Sequence, residues 1–345
     1  MKIVHVVDSL ERGGQEEFLI SLALEQKRKG YEPHIICLHK FGVLSEKAET
    51  HSIPLYLTQK KSKLAILSQL RSIILSISPN IIHTHNRRPL IFTIASSTER
   101  SHQVINTRHG HNVKGLNWSI AAMFCKKIVN VSDDVYQKSG FSNRLFCSHK
   151  NIVINNGINI PTNFSDGKSP GSIIMVGRLN PVKNHLLAFQ AIKKAKATGT
   201  DVSLKVVGGG ALQAELQTQI NKMGLNDCIK LLGDRNDVSS LLVDADIFLM
   251  TSLSEGHSIA LLEACAAGLP AVVSNVGGNK DIIKNNFNGF VCDLDDIDSF
   301  PSSILELCLN RKLWKKYSTN TRNWASQNAS ISKCADLYSA AYGFM

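Results

Sequence analysis

The sequence contains no C-x-x-C pair, and none of its eight cysteines stands at metal-ligand spacing from a histidine. A zinc module and a dithiol redox motif therefore have no footing here. Cys37, Cys125 and Cys265 lie in apolar runs, where a free thiol behaves as a small hydrophobe, and this usage points to a reducing, cytoplasmic compartment. Also lacking is an apolar run of the length needed to span a bilayer. A secretory leader is not expected, because Asp8 and Glu11 interrupt the opening MKIVHVVDSLERGG too early. Neither low complexity nor a disorder-like composition is present, and no zinc-finger or RNP-like pattern accompanies the basic residues. What remains is a soluble protein, or one attached to a membrane surface, with no nucleic-acid signature.

At 345 residues, 43% of them hydrophobic, the chain has the length of about two ordinary domains and enough apolar material for a core in each. Its net charge of +11 is unevenly placed. Residues 1–163 hold 21 Lys and Arg against 11 Asp and Glu, and the remainder holds 18 against 17. A basic first half fits a surface that meets anionic lipid, an acidic glycan or nucleic acid, although a merely solvated basic face has the same composition. The clusters Lys60-Lys61-Ser62-Lys63, Arg87-Arg88 and Lys126-Lys127 favour an anionic membrane.

Strand and helix signals alternate as in βαβ units. Apolar strand runs are read at 2–7, 34–38, 53–57, 81–85, 103–107, 127–131 and 151–154, with helical spacing at 16–29, 64–77 and 89–98 between them. The stretch 158–171, INIPTNFSDGKSPG, is dense in Pro, Gly, Ser and Asn and marks a linker. The alternation then restarts, with strands at 172–176, 202–207, 229–232, 247–250, 271–274 and 289–292 and helices at 185–198, 212–223 and 238–244. The spacing predicts two doubly wound domains, at 1–163 and 172–327, with a helical tail at 328–345 and a ligand where strand carboxyl ends face one another. A dinucleotide cofactor is disfavoured: no G-x-G-x-x-G follows the first strand, and after Gly208-Gly209-Gly210 the third glycine of the fingerprint is replaced by Gln213.

The stretch 246–270, DIFLMTSLSEGHSIALLEACAAGLP, concentrates the chemistry. A strand leads through a polar loop into an apolar helix that Ser258 can cap and that Gly268 and Pro270 can end. Glu263 lies in that helix, eight residues after the loop carboxylate Glu255. A carboxylate there needs hydrogen bonds. Either an internal partner supplies them, or ligand hydroxyls do while the helix start offers its amides to a phosphate.

Along the chain stand Gly13-Gly14, His109, Asn156-Gly157-Ile158, Val176-Gly177-Arg178-Leu179 with Pro181 and Lys183-Asn184, Gly208 with Gly210, Glu255-Gly256, Glu263-Ala264, Gly268 with Pro270, and Gly277-Gly278. In this order, over nearly the full length, the sequence resembles the retaining nucleotide-sugar glycosyltransferases of family 4. The Glu-x7-Glu element together with the Gly-Arg-Leu…Lys element carries the resemblance. It implies the α/β GT-B fold: two Rossmann-like domains facing across a deep cleft, an acceptor-binding one first and a nucleotide-sugar-binding one second, with the C-terminal helix crossing back to the N-terminal domain.

By the same resemblance, Arg178 and Lys183 clamp the donor diphosphate, where the alternative for such cations is plain solvation. Gly13 and Gly14 let backbone amides approach that diphosphate, or else form an ordinary tight turn. Glu263 is expected on the ribose, Glu255 on the donor sugar, and Gly256, His257, Ser258 and Ile259 as backbone donors at the helix start. Arg235 is placed near the base or diphosphate. His109 is expected to hydrogen-bond the sugar or diphosphate, with His111 and His85 as rivals. Many relatives carry an aromatic at the position of His257 and Pro at that of Ser258, which leaves the donor sugar open.

The implied activity is retaining transfer of a sugar from a nucleotide sugar, a UDP-sugar being the commonest, to a glycan or lipid-linked acceptor in bacterial cell-surface polysaccharide or lipopolysaccharide assembly, at the inner face of the membrane. No cofactor or metal is expected. The D-x-D matches at 293–295 and 296–298 read as a solvated acidic turn and helix start. A retaining glycosidase is disfavoured because Glu263 is expected more than two turns inside the helix, while Glu255 precedes it. The alternative is a GT-B nucleotide- or glycan-binding protein without turnover.

Overall fold

A computed structural model describes residues 1–59, 62–96, 103–110, 116–139 and 147–344. The chain forms two compact units, one of Met1–Gly157 with Ile331–Met345 and one of Ile158–Ser330.

In the first unit, among the described residues, β1 (Lys2–Ser9), β2 (Glu32–Lys40), β3 (Leu55–Leu57), β4 (Ile81–His85), β5 (Gln103–Arg108), β6 (Lys127–Asn130) and β7 (Asn151–Val153) make a parallel sheet in the order β3-β2-β1-β4-β5-β6-β7. Both faces of such a sheet are covered, so its strands read as near-continuous apolar runs. Alternate residues of β1 serve the two faces. Val4 and Val6 join Ile66, Leu70, Leu90 and Trp118 in one core, whereas Val7 joins Leu19, Ile20 and Ala23 in the other. The helix Gly14–Arg28 starts at the second glycine of the Gly-Gly pair, and Gly30 closes it with φ +85°. The helix Ile331–Tyr342 belongs to this unit, where Lys29 pairs with Asp336 at 2.6 Å and the amide of Gln26 donates to the Tyr342 hydroxyl at 3.1 Å.

In the second unit, β8 (Ser172–Val176), β9 (Ser203–Val207), β10 (Ile229–Gly233), β11 (Ile247–Met250), β12 (Ala271–Ser274) and β13 (Gly289–Cys292) lie parallel in the order β10-β9-β8-β11-β12-β13. Ile247, Phe248 and Leu249 are wholly buried, and burying each such side chain contributes roughly 1.5–3 kcal/mol. The longest described helix, Arg311–Asn328, has no counterpart in the sequence reading. Its apolar stripe is short on hydrophobes: Trp314, Tyr317, Thr321 and Ala325 are buried among polar neighbours. Two anchors compensate: Trp314 Nε1 donates to the Asp246 carbonyl at 2.7 Å, and Arg311 pairs with the buried Asp246 carboxylate at 2.5 Å.

In each sheet the strand order reverses beside the first strand, between β1 and β4 and between β8 and β11. Loops at the carboxyl ends there diverge and leave room for a ligand. All eight cysteines are unpaired and buried. No helix among the described residues is long and apolar enough to cross a membrane.

Candidate functional site

In the second unit the chain leaves β8 as Gly177-Arg178 and makes a short 3-10 turn, Pro181–Lys183, closed by Asn184 in the left-handed region. The chain leaving β11 runs beside it. Buried Thr251 donates its hydroxyl to the carbonyls of Lys183 and Asn184, at 3.2 and 2.9 Å, and the amide of Leu253 donates to the carbonyl of Val182 at 2.7 Å. Two loops from the reversal point are thereby tied into one. Their side chains meet: Lys183 Nζ donates to Glu255 Oε1 at 2.6 Å, with the two side chains 18% and 10% exposed.

Glycines set this geometry. A Cβ on Gly177 would sit 3.0 Å from Lys183 Cε, so the missing side chain lets the lysine stem lie along the strand end. Gly277, at φ +54°, comes so close to the Glu255 loop that a Cβ would fall 1.8 Å from the Glu255 carbonyl oxygen. The amide of Gly278 donates to the Gly256 carbonyl at 2.9 Å and completes the clasp.

The helix after this loop is Ile259–Ala266, and Ser258 caps it by accepting from the amide of Leu261. Gly268 follows in the left-handed region. Glu263 is half-buried in a helix whose neighbouring residues are buried, and it stands one turn from the helix start. The expectation of more than two turns is thus corrected: the polar loop runs on to Ser258 before the first helical residue. Helix depth therefore does not separate the site from a two-carboxylate glycosidase, and the Lys183 ammonium on Glu255 is the feature that distinguishes it. His257 is buried, and burial pushes its pKa down to about 4, so the ring is neutral at the helix start.

Arg178 lies exposed on the same strand-end segment as Lys183. Arg235 is held in a bidentate pair by Asp237, at 2.8 and 2.6 Å, with both side chains nearly half exposed. Its loop meets the Gly208–Gly210 segment, where the amide of Gly209 donates to Asp234 at 2.8 Å. Asp293 accepts from the Asn275 amide at 2.8 Å, while Asp298 stands at the start of the helix Ser299–Leu309 and pairs with Lys194.

In the first unit Gly13 precedes a fifteen-residue helix, whose first turn also carries Glu16 and Glu17. Glu17 is paired with Lys47 at 2.9 Å. Gln15 of that turn accepts from Asn86, the left-handed residue after β4, and Asn86 Oδ1 accepts from the backbone amide of His109 at 3.2 Å. The ends of β1, β4 and β5 are linked in this way. His85 Nδ1 and His109 Nε2 lie 3.0 Å apart, so two of the rival histidines are hydrogen-bonded to each other. His111 lies outside the described residues.

Sequence reading missed the braces. Thr251, Asn86 and the buried histidines His5 and His83 act only once distant strands pair. The signal for the histidines was present, since His83 and His85 are two apart in a strand and so share a face.

A model of the group 1 glycosyl transferases matches residues 162–324, and a model of glycosyltransferase family 4 matches residues 12–160. The Escherichia coli UDP-Gal:alpha-D-GlcNAc-diphosphoundecaprenol alpha-1,3-galactosyltransferase is 37% identical over 171 residues, covering 49% of this chain and 44% of that protein. The chain thus spans under half the length of the curated relatives it first matches. The Staphylococcus aureus capsular polysaccharide biosynthesis glycosyltransferase CapH is 25% identical over 98% of both chains. Among solved structures, Anabaena HepE in complex with UDP and glucose superposes with a TM-score of 0.82 over the whole of both chains at 20% identity, a likeness of fold. With parallel Rossmann-like sheets in both units and family models running from residue 12 to residue 324, the chain belongs to the family 4 glycosyltransferases of GT-B type.

Proposed function

We propose that the protein transfers a sugar from a nucleotide sugar, specifically a UDP-sugar, to a glycan or lipid-linked acceptor with retention of configuration, in assembly of a bacterial surface polysaccharide. The observation that carries this reading is the Lys183–Glu255 pair at the reversal point of the second sheet, next to the start of the Ser258-capped helix. A cation and a carboxylate so placed suit a ligand with a diphosphate at one end and sugar hydroxyls at the other. Lys183 and Arg178 take the diphosphate charge, the amides of Gly256 to Ile259 add donors, Glu255 accepts from hydroxyls of the transferred sugar, and Glu263 accepts from the ribose. Gly13 and Gly14 offer further amides to the diphosphate, and Arg235 exchanges Asp237 for ligand.

In the reaction the bond between the anomeric carbon and the β-phosphate oxygen breaks, and a bond to the acceptor oxygen forms on the same face. The acceptor hydroxyl proton passes to the departing phosphate oxygen. The chain's share is positioning and charge stabilisation, with no metal required. The names of the E. coli and S. aureus relatives support a UDP-sugar donor, a lipid-diphosphate acceptor and a capsule-like product.

An anionic membrane surface is the proposed location of the acceptor, at the cytoplasmic face. Ile120, Met123 and Phe124 of the first unit are 48%, 49% and 65% exposed, and Lys126 and Lys127 follow after the buried Cys125. Such a patch suits an interface where apolar side chains enter lipid and lysines meet headgroups. The Glu255 carboxylate against Lys183 is the feature that favours turnover over a binding protein without it.

The test is UDP release from UDP-glucose, UDP-galactose and UDP-N-acetylglucosamine, with and without an N-acetylglucosamine-diphospholipid acceptor. Acceptor-dependent release that Glu255→Ala abolishes is expected. UDP-sugar binding with no release under any of these conditions would leave only the non-catalytic reading.

A further inference from the structure

β1 and β4 set His5 and His83 opposite each other in register, with His85 two residues further along the same face, and all three are fully buried. Among the described residues they form the one group of histidine, cysteine or acidic side chains close enough together to hold a metal ion. Yet each of their six ring nitrogens has a hydrogen-bond partner within 3.1 Å, so the group is satisfied without an ion. The bonds form a line. His109 Nε2 meets His85 Nδ1 at 3.0 Å, His85 Nε2 meets His5 Nδ1 at 3.1 Å, and His5 Nε2 meets Gln26 Oε1 at 2.8 Å.

Gln26 gives the line its polarity. An amide oxygen only accepts, so His5 carries its proton on Nε2. Burial holds His5 down to about pKa 4, His109 to about 3 and His85 well below its ordinary value, so each ring is neutral and has one N–H. His5 Nδ1 is then an acceptor, which puts the His85 proton on Nε2. By the same step the His109 proton is on Nε2. What is left is His109 Nδ1 as a bare lone pair, buried and without a hydrogen-bond partner among the described residues. Gln26 is itself held from behind, since its amide nitrogen donates to Tyr342 and the Tyr342 hydroxyl lies 2.9 Å from His83 Nδ1.

We propose that Gln26, His5 and His85 are positioning residues that lock His109 in the Nε2–H tautomer, so that its Nδ1 accepts a hydrogen bond from a sugar hydroxyl and not from the diphosphate. A phosphate oxygen at neutral pH has no proton to give such an atom, whereas every sugar hydroxyl has one. This deepens the proposed transferase reading and rests on it for the identity of the ligand, though the tautomer itself does not.

Histidine-selective 15N labelling with long-range 1H–15N correlation reads each tautomer in the full chain, free of substrate. Neutral, Nε2-protonated His109, His85 and His5 are expected, and an Nδ1-protonated His109 overturns the relay whatever the activity. Gln26→Leu is expected to release His109 into both tautomers and to lower kcat/KM for UDP release about tenfold, the loss of one well-placed hydrogen bond. Gln26→Glu, which can only accept at the same place, restores the tautomer and most of the activity. Should Gln26→Glu stay as impaired as Gln26→Leu, with both melting lower, the role is packing and the inference fails. Full activity of Gln26→Leu beside an impaired His109→Ala overturns the relay and leaves the transfer reaction standing. Wild-type activity of His109→Ala overturns the relay's purpose, while Glu255→Ala still reads the reaction itself. Slow hydrolysis of the UDP-sugar without acceptor separates the two sources of the hydroxyl: a donor hydroxyl loses rate there, an acceptor hydroxyl only when acceptor is present.

Discussion

Glu255→Ala should strengthen the binding of UDP while weakening catalysis. In the structure the Lys183 ammonium is 2.6 Å from the Glu255 carboxylate, and neither side chain is more than one-fifth exposed. Two unit charges about 4 Å apart at an effective dielectric of ~20 attract by about 4 kcal/mol. An incoming diphosphate must draw Lys183 from that partner and also approach a like charge. Truncating Glu255 removes both penalties, offset by the looser lysine that remains. A net gain of about 1.4 kcal/mol, roughly a third of the attraction, makes UDP bind about tenfold tighter. Turnover should fall at least about a hundredfold, the usual cost of removing one oriented group at a reacting centre. Lys183→Ala removes charge-assisted bonds of about 1.5–3 kcal/mol and should weaken UDP by roughly tenfold to a hundredfold. Calorimetric titration of UDP into the three proteins, alongside UDP-release assays, measures all of this. If Glu255→Ala weakens UDP as much as Lys183→Ala does, the pair is a structural strut and the reasoning is refuted.

Gly277→Ala should cost most of the activity and about 1–3 kcal/mol of stability, because the new methyl collides with the Glu255 carbonyl at a positive φ; UDP-release assays and denaturant melts check it. Arg311→Ala should destabilise the second unit by about 3–5 kcal/mol, since Asp246 is 1% exposed and burial already pushes its carboxyl pKa up; urea titration reads this, and Asp246→Asn together with Arg311→Ala should recover part of the loss. The buried histidines make folding acid-sensitive. His5, His185 and His257 are lowered to about 4 and His109 to about 3, so the unfolded chain binds more protons below its ordinary 6.5. Stability is therefore full above about pH 6.5 and falls towards pH 4, by up to ~1.4 kcal/mol per histidine per pH unit; denaturant midpoints at pH 7.5 and 5.5 test the sign.

Much of this fold was readable because parallel strands are buried on both faces and announce themselves as apolar runs. β4, β8, β12 and β13 span the residues that their runs suggest. Ser258, Gly268 and Pro270 bracketed the Glu263 helix through local cap chemistry. The helix Arg311–Asn328 stayed hidden because its hold comes from Trp314 and Arg311 reaching Asp246, far away in sequence, more than from an apolar stripe. The same is true within the site. Glu255 and Lys183 stood out as residue types in a motif, but their ion pair depends on Thr251 lacing two loops that meet only at a sheet reversal. The histidine line is the extreme case: His5 and His85 come from two strands and His109 follows the end of a third, and its direction is set by Gln26 on a helix. Spacing puts His83 and His85 on one face of a strand, but the line through His5 and His109 emerges only once strand order is known.

Hydrogen exchange with and without UDP tests the central claim most directly. Slowed exchange at the loops and helix start at 177–184 and 251–263, with any further change limited to the segments around Gly13–Gly14 and Arg235, is the result expected if the second sheet's reversal point holds the diphosphate. Binding of UDP with protection elsewhere, and none at those two segments, would contradict it.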